Sequence, residues 1–295
     1  QNIPKKLRRL FIADEGKVFV QVDQSGAEAM VVGYLCVPGN FRTLFLENIK
    51  SHVFVALRLF PDVWAAELGR SMDEFCDAPI TQLRSIKGWD ELNKVIKASD
   101  DWPADRRYYF MAKMVCHASN YGMKFPTFRI NILQKSRGAV ALDAKEAKRF
   151  LATYHKLFPE INQWHNETIS TLKQTKMLKN LFGYPRTFTN IIDESMYKEA
   201  YAFVPQSTVG CITNLAFVEL QNRQDLLDLG VDVLQNNHDS VLLQCPERVV
   251  PFVANEAMKH MNRKLVSPRG EPFQMRSEAL VGHNWKEMYE VDSIL

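Results

Sequence analysis

The sequence predicts an α+β fold in which helices surround one small antiparallel sheet. Helical spacing of apolar residues recurs along most of the chain between positions 27 and 229, whereas β-branched and apolar runs bounded by turn-formers are few and short. At 295 residues the chain is one large domain or two small ones, and 46% hydrophobic with 24% charged residues is ordinary for a globular protein.

Each element has a local reason. Residues 17–22 are valine-rich and read as a strand, and Ala27 to about Leu35 reads as a buried helix. Residues 40–60 predict two short helices. Residues 61–104, with Pro61, Pro79, Pro103 and the tryptophans Trp64, Trp89 and Trp102, read as a helical insertion with loops. Asp105 is an N-cap candidate for a helix to about Ser119, ended by Asn120-Tyr121-Gly122, and Pro126 starts another. Residues 143–158 and 159–178 are helical in period, with Pro159 in the first turn of the second. Leu181 to Pro185 is a turn. Helices follow near 193–204 and 207–229, the last ended by Gly230. Strands at 231–236 and 240–245 flank His238-Asp239, a helix covers about 247–265, and a final strand lies near 278–281.

The net charge of +3 permits a nucleic-acid partner without demanding one. Cys36, Cys76, Cys116, Cys211 and Cys245 are scattered without a CxxC pair, which reads as reduced thiols of an intracellular, non-secreted protein. No apolar run approaches the ~20 residues that span a bilayer.

Chemistry concentrates at two strand ends. Phe19-Val20-Gln21-Val22 leads to Asp23, and Leu234-Gln235-Asn236-Asn237-His238 leads to Asp239. Two carboxylates at a sheet edge, once the fold joins them, suit a pair of Mg²⁺ ions for phosphoryl transfer. Glu28 adds a carboxylate on the helix after Asp23. Tyr109, Lys113, His117 and Tyr121 recur at intervals of four and share a helical stripe, which suits a nucleoside triphosphate: cation to phosphate, ring to base or sugar.

These segments together resemble the polymerase I-like (family A) DNA polymerases. Asp23 to Glu28 resembles motif A, Lys113 to Tyr121-Gly122 resembles motif B with seven residues between lysine and tyrosine, and His238-Asp239 resembles motif C. Gln1-Asn2-Ile3-Pro4 with Arg8 to Ala13, Ser51-His52, Leu181-Phe182-Gly183, Pro205 to Thr208, and Val281 to Trp285 resemble further family segments in the same order.

The resemblance implies the palm of a right-hand polymerase at 1–50 and 179–295, with helical fingers at 51–178 and an insertion at about 61–104. It implies that Asp23, Asp239 and the Gln24 carbonyl bind two Mg²⁺ ions, with Mn²⁺ as a substitute. It makes Glu28 a block to a ribose 2′-hydroxyl. Lys113 and His52 neutralise triphosphate charge, Tyr121 flanks the nascent base pair, His238 touches the primer terminus and Gln206 reads the minor groove. The implied partners are primer-template DNA and dNTPs, with no membrane. The sequence departs from the family pattern at Tyr109, where an arginine is usual and Arg106 is the candidate substitute. It departs again at His117, Ser240 and Ala202.

The resemblance does not extend to a thumb or an exonuclease domain, so the chain reads as part of a longer polymerase with such a region upstream. Two other readings compete: a phage-type single-subunit RNA polymerase, whose motif C also reads His-Asp-Ser, and a catalytically impaired, DNA-binding polymerase-like module.

Overall fold

A computed structural model describes residues 3–189 and 193–291. Its main elements in chain order are β1 (Lys17–Gln24), α1 (Ala27–Leu35), α2 (Ser51–Leu59), α3 (Trp89–Ala98), α4 (Tyr108–Asn120), α5 (Ala144–Leu157), α6 (Pro159–Thr175), α7 (Glu194–Gln221), β2 (Asp232–Asn237), β3 (Ser240–Pro246), α8 (Val250–Met261), β4 (Ser277–Gly282) and β5 (Tyr289–Glu290). Among the described residues, no helix is long and apolar enough to cross a membrane.

The chain divides into two compact units. The first comprises Gln1–Val31, Lys179–Pro185 and Val204–Leu295; the second comprises Val32–Leu178 and Arg186–Phe203. Residues 32–50, grouped from the sequence with the first strand, cluster with the helical unit. One reason is Arg42, whose buried guanidinium donates to the Gly33 and Cys36 carbonyls (3.1 and 2.6 Å) and so caps the end of α1.

The first unit is built on an antiparallel sheet ordered β2-β3-β1-β4-β5. The period of two in β1 sorts its side chains. Val18, Val20 and Val22 face a core with Val241, Leu243, Ala279 and Val281, covered by Val253, Ala254 and Ala257 of α8 and by Ala216 and Leu220 of α7. Each fully buried valine contributes on the order of 1.5–3 kcal/mol. The alternate residues Phe19, Gln21 and Asp23 point to the other face, where Phe19 packs with Leu242 and Trp285.

The second unit is helical. A capping box starts α5: Asp143 accepts from the Glu146 N–H (2.7 Å) and Glu146 from the Asp143 N–H (3.1 Å). Phe41, Phe158 and Tyr154 interlock by their edges, with centroids 4.9–6.3 Å apart. Helix α4 is buried at Met111, Ala112, Met114, Val115, Cys116 and Ala118.

Three expectations are corrected. The two helices expected on either side of residue 205 form one, α7, which runs through Pro205. An interior proline costs roughly 3 kcal/mol, yet Val209, Ile212, Ala216 and Leu220 are buried at helical spacing beyond it. Asp105 does not cap α4: residues Ala104–Arg106 form a 3₁₀ turn, and Arg107 (φ −79°, ψ 68°) is non-helical. The helix expected to reach residue 265 stops at Met261, because Lys264–Val266 pairs with Pro272–Gln274 across a turn.

Candidate active site

In the first unit β1 and β3 are antiparallel neighbours with Asp23 opposite Ser240, so a two-residue turn, His238-Asp239, lies at the end of β1. The Gln24 N–H donates to the Asp239 carbonyl at 2.9 Å and ties the turn to the strand. His238 occupies the left-handed region (φ +57°), uncommon for a residue other than glycine. Asp23 and Asp239, more than two hundred positions apart in sequence, therefore share one sheet edge.

The electrostatics of that edge are unfavourable for bare carboxylates. Burial, then the charge of Asp239, then that of Glu278 push the Asp23 carboxyl up to about 7, while the Gln24 N–H and Arg8 pull the other way. Partial desolvation also raises Asp239. Asp23 Oδ1 is buried and has no hydrogen-bond partner among the described residues. A buried acceptor without a donor, beside a second carboxylate, fits a divalent cation, a hard ion that takes oxygen ligands. Among the described residues no group of three or more His, Cys, Asp or Glu side chains converges on such an ion. The sequence resemblance implies Asp23, Asp239 and the Gln24 carbonyl as oxygen donors to such an ion.

Glu278 was not singled out in the sequence. It lies opposite Asp23 across β1 and β4, and it accepts from Ser25 Oγ at 3.1 Å. Only strand register reveals it, since a glutamate in a short C-terminal strand has no local signature.

The smaller segments converge on the same unit. Trp285 Nε1 donates to Gln21 Oε1 at 2.7 Å, Arg8 lies 4.5 Å over the Trp285 ring, and Phe11 meets that ring edge-on at 5.8 Å. The lead-in segment and the C-terminal segment thus pack on the face of β1 that carries Asp23; Gln1 and Asn2 lie outside the described residues. The Leu181 N–H donates to Thr208 Oγ1 at 3.3 Å, which joins the turn 181–183 to the Pro205–Thr208 segment. Gln206 is exposed beside it on α7, His238 is exposed at the turn, and Glu28 is half-buried in the first turn of α1.

In the second unit the predicted stripe exists. Lys113 and His117 are the exposed positions of a helix buried elsewhere between residues 111 and 120, and Tyr109 and Tyr121 bracket them. Lys113 Nζ lies 5.7 Å over the Tyr109 ring, Tyr109 meets His52 at 5.7 Å edge to face, and His117 meets Tyr121 at 5.1 Å in the same manner. Burial first, then Lys113, Lys50 and His117, push His52 down to about 3, so at neutral pH it is a neutral imidazole. It can donate a hydrogen bond to an anion and brings no charge of its own. Arg106 does not join the stripe: it is paired with Glu67 and lies 5.0 Å over Trp102.

A family model described as DNA polymerase family A matches residues 95–287. The thermostable DNA polymerase I of Thermus aquaticus is 24% identical over 297 aligned positions, which cover 97% of this chain and 30% of that protein. The Thermus thermophilus enzyme is 25% identical with the same coverage. DNA polymerase I B, chloroplastic/mitochondrial, of Arabidopsis thaliana is 21% identical, covering 95% of this chain and 26% of its own length. The chain thus spans about 30% of the length of the Thermus relatives. The solved POL domain of Pol1 from M. smegmatis, in complex with DNA primer-template and dNTP, matches with a TM-score of 0.65 at 17% identity. The match covers 97% of this chain and 44% of that one, and it shows the shared fold.

Proposed function

The chain belongs to DNA polymerase family A, and from that premise we propose that it forms the palm and fingers of a DNA-directed DNA polymerase that adds deoxynucleotides from dNTPs to a primer 3′-hydroxyl. The observation that carries the reading is the pairing of Asp23 and Asp239 at one sheet edge with Asp23 Oδ1 unsatisfied.

Asp23 and Asp239, with the Gln24 carbonyl, would hold two Mg²⁺ ions (Mn²⁺ as a substitute), which lower the pKa of the primer hydroxyl and offset charge on the leaving pyrophosphate. Lys113 supplies a positive charge for the triphosphate, and neutral His52 donates a hydrogen bond to it. Tyr121 flanks the base pair, His117 lies beside the sugar, and Tyr109 anchors the lysine. His238 contacts the primer end, Gln206 reads minor-groove acceptors, and Glu28 excludes a 2′-hydroxyl. An upstream thumb region of the same protein completes the grip on duplex DNA.

Template-directed extension with Mg²⁺, on this chain and on one extended upstream, tests the reading. Asp239→Asn should lower extension by about 10²–10³-fold, the typical loss for removal of a transition-state electrostatic group, with DNA affinity kept. Substantial residual extension would refute the metal role. Equal use of ribo- and deoxynucleotides would instead favour the RNA-polymerase reading, which the His238-Asp239-Ser240 run supports.

A further inference from the structure

The insertion at 61–104 has no part in the function proposed so far, yet it holds the start of α4. The first N–H groups of a helix need acceptors from outside it, and Arg107 provides no side-chain cap. The Tyr109 N–H donates instead to Ser99 Oγ at 3.0 Å, and Ser99 Oγ–H donates to the Ile96 carbonyl at 2.6 Å. Ser99 is fully buried and closes α3. One hydroxyl therefore ends a helix of the insertion and caps the helix that carries Lys113.

The surroundings brace the same junction. Arg107 Nε donates to the Asp100 carbonyl at 2.6 Å. Trp64, Trp102 and Tyr108 form a ring cluster with centroids 5.7–6.2 Å apart. The amide that Ser99 caps belongs to Tyr109, the residue whose ring meets both His52 and Lys113 Nζ.

We propose that the insertion is a positioning element for the nucleotide-binding stripe and acts through Ser99, which fixes the first turn of α4 and so the orientation of Tyr109 against Lys113 and His52. Ser99 touches no substrate; it is a positioning residue. The inference rests on the proposed role of the stripe in binding dNTPs.

The test combines amide hydrogen exchange with steady-state extension on Ser99→Ala, Ser99→Cys and Ser99→Thr in the full chain. Ser99→Ala should speed exchange in the first turn of α4 by about tenfold, the loss expected for one capping bond, with little change in the rest of the second unit. It should raise the dNTP KM about five- to tenfold and leave kcat within about twofold, because the lost interaction orients bound nucleotide. Ser99→Thr, which keeps the hydroxyl, should restore both. If Ser99→Ala does not fold, Ser99→Cys gives the same comparison. Unchanged exchange, an unchanged KM, or a uniform rise in exchange across the second unit overturns the inference. A wild-type chain that binds no dNTP, while Ser99→Ala still speeds exchange in α4, marks failure of the proposed function itself.

Discussion

Gly122 ends α4 at φ +65°, and a Cβ there would lie 2.8 Å from the Tyr201 ring, which stacks on His165 at 4.0 Å. Gly122→Ala must bear left-handed strain and displace a packed ring, a combined cost of about 1–3 kcal/mol. A denaturant midpoint within error of wild type would show that the ring moves freely. At Glu28 the expected effect is on selectivity: Glu28→Ala should raise ribonucleotide incorporation by at least about tenfold, since a removed clash is worth on the order of 1–3 kcal/mol. An unchanged ribo-to-deoxy ratio would refute the block. Gly122 was legible as a glycine after a helical run, and Glu28 was singled out as a carboxylate on the helix after Asp23. Glu278 was not, because its importance comes from the residue opposite it on another strand.

The helices α5 and α6 were legible because apolar residues recur at helical spacing in both and a first-turn proline marks the start of α6; the capping box that starts α5 was seen only in the structure. The break expected at Pro205 was wrong because burial along the helix overrides the local preference. The start of α4 was missed by two residues because its cap comes from Ser99, which closes another helix. A similar long-range cap holds the turn at 180–184. Asn180 Oδ1 accepts from the Phe182 and Tyr184 N–H groups at 3.0 Å each, and Thr208, fully buried on α7, accepts from the Leu181 N–H. Thr208→Val keeps the shape and removes the acceptor, so it should cost about 1–3 kcal/mol for the orphaned N–H. The loss should appear first as faster exchange at Leu181, and protection equal to wild type there would show that the turn holds without α7.

For the whole molecule, two sets of buried groups oppose each other as pH changes. His52 is pushed down to about 3 and His165 to about 4, chiefly by burial. Unfolded histidines near 6.5 take up protons that the folded ones refuse, so this stability is complete above pH 6.5 and is lost as pH falls toward 4. Asp23 behaves the other way. Its folded value of about 7 lies above the ordinary 3.8, so its contribution is complete below 3.8 and is lost as pH rises through 7. A cation held at Asp23 requires the charged carboxylate, so Mg²⁺ competes with a proton for this site. The rise in Tm caused by Mg²⁺ should therefore be small near pH 5 and grow to several degrees by about pH 8. Asp23→Asn should abolish that growth and leave the acid-side fall, which belongs to the histidines, in place. Melting curves with and without Mg²⁺ across this range measure both effects. A Mg²⁺-induced shift that stays constant from pH 5 to 8 would mean that the ion binds without displacing the proton from Asp23, and the strand-end pair would lose its role as the metal site.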